Sequence, residues 1–101
     1  MNRRSQIEAM LETEPSDEFL RYSLAMELQK EGKHEECLEI FRSLMTDQPP
    51  YVPAFFMAAQ QRVRLGEVDL AKQFLREGIE QARLQDNAHA AAEMSEMLQG
   101  L

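Results

Sequence analysis

Cysteine is nearly absent: the 101 residues hold one. A single thiol excludes an internal disulfide and a multi-cysteine zinc site, so packing must supply the stability. Chain breakers are scarce too, with 4 glycines and 4 prolines. That scarcity argues against a turn-rich β fold and for helices. Positive charge is in deficit: 11 Lys and Arg against 18 Asp and Glu give a net charge of −7. Nucleic acid and anionic membrane surfaces recruit cationic patches, so neither is expected as the main partner. No apolar run approaches the roughly 18 residues of a membrane-spanning helix. The opening stretch Met1 to Glu8 lacks the apolar core of a signal peptide, which makes a soluble, cytoplasmic protein the expectation. No glycine-rich phosphate loop, Ser/His/Asp set or pair of catalytic carboxylates stands out, so no enzyme activity and no cofactor are expected.

What is present is helical periodicity. Hydrophobic residues make up 44%, enough to build a core. Between the breakers lie segments of about 12–17 residues, an ordinary helix length. Apolar residues recur in them with a period near 3.6. The line Ile7, Met10, Leu11 falls in the first segment and Leu20, Leu24, Leu28 in the second. The third carries Cys37, Phe41, Leu44 and Met45. The fourth, Val52 to Leu65, is rich in Ala, Phe and Met. The fifth carries Val68, Ala71, Leu75, Gly78, Ile79 and Ala82, and the sixth Ala90, Met94, Met97 and Leu98. The reading is six helices and no strand, an all-α chain. Ser16 or Asp17 can cap the second helix, Pro53 suits a first helical turn, and Asp86 can cap the last helix. Gly32 and Gly66 can each end a helix in the left-handed conformation.

The segments repeat. Gly32 and Gly66 are 34 residues apart, as are Cys37 and Ala71, Phe41 and Leu75, Leu24 and Ala58, and Ala25 and Ala59. Stepping back by the same 34, Pro49 falls on Pro15, Phe41 on Ile7 and Met45 on Leu11. Most pairs keep size or apolar character. The order reads as a second helix, two complete helix pairs, then a closing first helix. Accordingly the chain is one domain over 1–101: a half repeat over 1–15, repeats over 16–49 and 50–83, and a closing helix over 84–101.

A 34-residue helix-turn-helix period resembles the tetratricopeptide repeat. Arg21, Leu24, Ala25 and Leu28 occupy its first-helix pattern in one unit, and Phe55, Ala58, Ala59 and Arg62 in the next. Gly32 and Gly66 match its turn glycine, and Cys37 with Phe41 and Ala71 with Leu75 match its small-then-aromatic pair. Pro15 and Pro49 match its closing proline, from which Arg83 departs. The resemblance implies a short α-solenoid of antiparallel helices in a right-handed superhelix, whose concave groove is lined by first-helix residues. Those residues are Phe19, Tyr22, Met26, Gln29 and Lys30 in one unit, and Phe56, Met57, Gln60, Val63 and Arg64 in the next. The family's Lys/Asn clamp for a peptide carboxylate has no counterpart here, because Tyr22, Met26, Phe56 and Gln60 stand at its places. The strip that replaces it is aromatic and Met-rich, suited to an apolar peptide or amphipathic helix of a protein partner. The competing reading makes these residues partly core, or a surface for a second copy of the chain.

Other residues invite a bland reading. Cys37 and His34 are a Cys/His pair without the four ligands of zinc or the base of a thiol nucleophile, so Cys37 is expected in the core. His89 is expected on the surface. Glu31, Glu35, Glu36 and Glu39 read as a solvated face around a helix start, or as a docking patch for a basic partner. The closing helix fits the 34-residue register worst, since that register would put His89, Ala92, Glu93 and Glu96 inside. Its line Ala90, Met94, Met97, Leu98 and Leu101 must instead cap the array, face the groove or join two copies.

Overall fold

The structure is a computed structural model that describes residues 2–101. Among these residues there are six α-helices and no strand: α1 (Arg3–Thr13), α2 (Glu18–Lys30), α3 (His34–Met45), α4 (Val52–Arg64), α5 (Val68–Leu84) and α6 (Ala88–Gln99). The chain is divided into two compact units, 1–47 with α1 to α3 and 48–101 with α4 to α6.

In unit 1, α1 and α3 both pack on α2. The Asp17 carboxylate caps α2 by accepting from the Leu20 N–H at 2.8 Å. The core is Ile7, Ala25, Leu28, Cys37, Leu38, Phe41 and Leu44. Small Ala25 and Cys37, both with no exposed surface, let the two helices approach. Arg21 holds the ends of this hairpin together. Its guanidinium donates to Asp47 Oδ2 at 2.7 Å, to Asp47 Oδ1 at 3.2 Å and to Ser43 Oγ at 3.0 Å. An ion pair therefore stands where the resemblance implies a large aromatic side chain.

In unit 2, α4 and α6 pack on α5. Pro53 lies in the first turn of α4, where its missing N–H costs nothing. Ala58, Ala59, Ala71, Ala82 and Leu75 are wholly buried, with Phe55 and Phe74 nearly so. The small residues expected at the helix crossings, Ala59 and Ala71, are there. So are Phe41 and Leu75 as fillers. Gln85 Nε2 donates to the Pro50 carbonyl at 2.8 Å and ties the α5–α6 turn to the start of α4.

Three helices end in one device. Gly32 and Gly66 have φ of +78° and +81°, and the residues after them donate to Leu28 O at 2.9 Å and Arg62 O at 2.8 Å. At the end of α5, Asp86 takes the same conformation with φ +57°, and the Asn87 N–H donates to Ala82 O at 2.7 Å. This corrects the expectation that Asp86 caps α6. The cap is Asn87, whose Oδ1 accepts from the Ala90 N–H at 3.1 Å. Aspartate tolerates the left-handed region less well than glycine. Asp86→Gly should therefore raise stability, by about 0.5–1 kcal/mol, as a higher urea midpoint with unchanged slope.

The repeat distance is kept once and then broken. α4 starts 34 residues after α2 and α5 starts 34 after α3, but α6 starts 36 after α4. Helix α5 has 17 residues where α3 has 12, and the connection that follows is shorter. Two prolines, Pro49 and Pro50, forbid α3 from running on, whereas Arg83 at the position equivalent to Pro49 lets α5 continue to Leu84. The two-residue shift turns α6. Ala91 and Met94 become its buried residues, and the 34-residue line of His89, Ala92, Glu93 and Glu96 is exposed.

Candidate functional site

The first-helix residues named from the sequence fall in both units. On α2, Phe19 is the most exposed aromatic, at 65%, while Tyr22, Met26 and Gln29 are half-buried. Tyr22 is partly committed to the core, its ring centroid 6.1 Å from that of Phe41 at a 44° tilt. Gln29 turns toward the same hairpin, and its Oε1 accepts from the Cys37 thiol at 3.9 Å. Lys30 is exposed and pairs with Glu27 at 3.1 Å. On α4, Phe56, Met57, Gln60 and Val63 are half-buried and Arg64 is exposed.

Unit 2 assembles some of these into a cleft. Phe56 and Gln60, one turn apart on α4, face Glu93, Glu96 and Met97 of α6 with Gly100 and Leu101 beyond it. The cleft has a volume of about 460 Å³. Its apolar wall is Phe56, Met97 and Leu101, Gln60 supplies a donor and an acceptor, and Glu93 and Glu96 give it an acidic rim. Val63 and Arg64 do not line it. The Met line of α6 is therefore split. Met94 is buried against α5 and α4, while Met97 and Leu101 stand in the cleft. The opportunity for Met97 to meet Phe56 was not visible in the 34-residue register and follows from the turned α6.

Met94 seats against Gly78. A Cβ at Gly78 would lie 2.6 Å from Met94 Sδ and 2.6 Å from Phe55 Cβ, so this glycine permits the approach of three helices.

Arg62 is the charged surprise. It stands 34 residues after Leu28, is 2% exposed, and donates from Nη1 to Glu67 Oε2 at 2.7 Å. Its Nε and Nη2 donate to Gln61 Oε1 at 3.2 and 2.7 Å, and Gln61 is itself buried.

The remaining sequence candidates fall as follows. Cys37 is wholly buried, as expected of a packing residue. The His89 side chain is 87% exposed, with Nε2 at 3.4 Å from Glu93. Among the described residues no group of three or more His, Cys, Asp or Glu is placed to hold a metal ion. Nor is any helix among them long and apolar enough to cross a membrane.

Antiparallel helix pairs with glycine turns, small residues at the crossings and a 34-residue step define an all-α helical repeat of tetratricopeptide type. The chain is similar to a solved structure, the solution NMR structure of a tetratricopeptide repeat domain protein from Salinibacter ruber. The two share 29% sequence identity, with a TM-score of 0.79, over 85% of this chain and 87% of that one. No protein-family model matches the chain, and no curated protein matches it. The fold is thus that of the tetratricopeptide repeat, typically a non-catalytic scaffold and in general a protein-interaction module.

Proposed function

We propose that this protein binds a peptide or helix of a partner protein through its first-helix surfaces, without catalysis and in the cytoplasm. The surfaces are Phe19, Tyr22, Met26 and Gln29 of α2 in unit 1, and Phe56, Gln60, Val63 and Arg64 of α4 in unit 2. The observation that supports this best is the α4–α6 cleft. It offers an aromatic ring, a flexible thioether and one amide in a concave site of about 460 Å³, a combination that takes one or two apolar side chains.

Phe56 is half-buried and walls the cleft, so it separates binding from folding better than Tyr22, whose ring also touches Phe41. Phe56→Ala should weaken capture of a partner from native extract by about tenfold or more, with the far-UV circular dichroism unchanged. Undiminished capture would remove the cleft from the account.

A second copy of the chain is the alternative occupant, since Met97 is half-buried and Leu101 is 37% exposed. Light scattering after size exclusion decides it, and a monomer at high concentration excludes it.

A further inference from the structure

Unit 1 has a second cleft, on the other side of α2 from the strip just described. Leu24 and Leu28 lie roughly 150° around the helix from the line of Tyr22, Met26 and Gln29. They form its floor together with Ile40 of α3, and α1 and α3 form its walls. Its volume is about 430 Å³. Leu24 and Ile40 are half-buried, so the floor presents open apolar surface.

The rim is acidic. Glu36 and Glu39 line the α3 side and Glu8 the α1 side. Arg4 also borders the cleft, but its guanidinium is engaged by Glu31 Oε2 at 2.7 Å and Glu8 Oε2 at 3.4 Å. Glu36 and Glu39 are exposed and have no ion pair or hydrogen bond among the described residues. The α3 wall therefore carries two uncompensated negative charges above an apolar floor, in a chain of net charge −7.

We infer that this cleft docks a cationic amphipathic helix of a partner protein. Its Leu or Ile side chains lie over Leu24, Leu28 and Ile40, and two Lys or Arg one turn apart meet Glu36 and Glu39. Residues i and i+3 on a helix are about 5–6 Å apart, a spacing that a partner helix reproduces. The charge complement chooses the partner: an acidic or neutral helix would leave both carboxylates facing like charge or apolar surface. This proposal does not depend on the α4–α6 cleft, and its variants differ.

The test uses the full chain and three synthetic peptides: a Leu/Lys amphipathic helix, the same helix with Glu for Lys, and the Leu/Lys composition scrambled to lose its apolar face. Fluorescence anisotropy at low and moderate salt reads the binding. The Leu/Lys helix should bind, the other two should not, and Glu36→Gln/Glu39→Gln should weaken binding about fivefold while flattening its salt dependence. Ile40→Ser should also weaken it, and Phe56→Ala should leave it unchanged. Equal binding of the scrambled peptide would mean bulk charge attraction and overturn the proposal. Indifference to the double Gln variant would also overturn it, as would sensitivity to Phe56→Ala. The glutamates are exposed, so unchanged circular dichroism is expected of the double variant.

Discussion

Gly78→Ala is expected to destabilise this protein, although alanine is the better helix former. In an open helix the exchange would gain about 1 kcal/mol. Here the added Cβ would fall 2.6 Å from Met94 Sδ and 2.6 Å from Phe55 Cβ. Met94 is flexible and can move its sulfur aside. Phe55 cannot, because its Cβ is fixed to the backbone of α4, so α4 and α5 must separate. Overpacking of this kind costs about 1–3 kcal/mol, which exceeds the propensity gain. Gly78→Val, with two more carbons and a stiff χ1, should cost about 3 kcal/mol or more and lower Tm by at least 12 °C or so. Urea and thermal unfolding check both variants. A gain in stability for Gly78→Ala would mean that the three helices do not meet at this point. The repeat explains why the glycine is tolerated. Position 44, its equivalent in unit 1, is Leu, and Arg21 stands at the equivalent of Phe55. Unit 2 has moved its bulk from the second helix to the first.

Arg62→Ala should lower stability by about 3 kcal/mol, whereas Arg62→Leu should cost under about 1 kcal/mol. The alanine variant leaves a cavity beneath α4 and strands the Gln61 amide oxygen, which is buried and accepts from Arg62 twice. The partner carboxylate contributes less to the loss. Glu67 is half exposed and can return to water when its cation is removed. Leucine restores what the repeat carries at position 28, where Leu28 is 5% exposed. Replacing a buried ion with a packed apolar group is often close to neutral. Glu67→Gln should fall between the two, at about 1–2 kcal/mol, because it weakens the pairing of a buried guanidinium. Equal losses for Arg62→Ala and Arg62→Leu would mean that the charge, not the volume, holds this position.

Much of the fold was legible because its cues are local. Gly32 and Gly66 mark helix ends by a backbone conformation that favours glycine, and both take it. Small Ala25, Ala59, Cys37 and Ala71 recur at one offset because a helix crossing tolerates little bulk there, and all are buried. What escaped was non-local in its consequence. Arg83 in place of a closing proline was visible as a departure, but its effect passes through the length of α5 and reappears as a turn of α6. Only with that turn does Met97 come to Phe56. Asp86 was misjudged for a related reason. Its short side chain suits both a cap and a left-handed turn, and the continuation of α5 decided between them. For the candidate site, residue types were readable while company was not. Tyr22 belongs partly to Phe41, Phe56 belongs with Met97, and Arg62, which looked like a departure in the groove pattern, lies buried.

The central claim is that first-helix surfaces take a protein partner, with the α4–α6 cleft as an anchoring pocket. Amide and methyl chemical-shift mapping tests it most directly, by titrating the partner segment recovered by capture into the labelled chain. The account predicts the largest shifts at Phe56, Gln60 and Met97, and their loss in Phe56→Ala. Shifts confined to α5 residues such as Lys72, Gln73 and Arg76, with the cleft resonances unmoved, would contradict it.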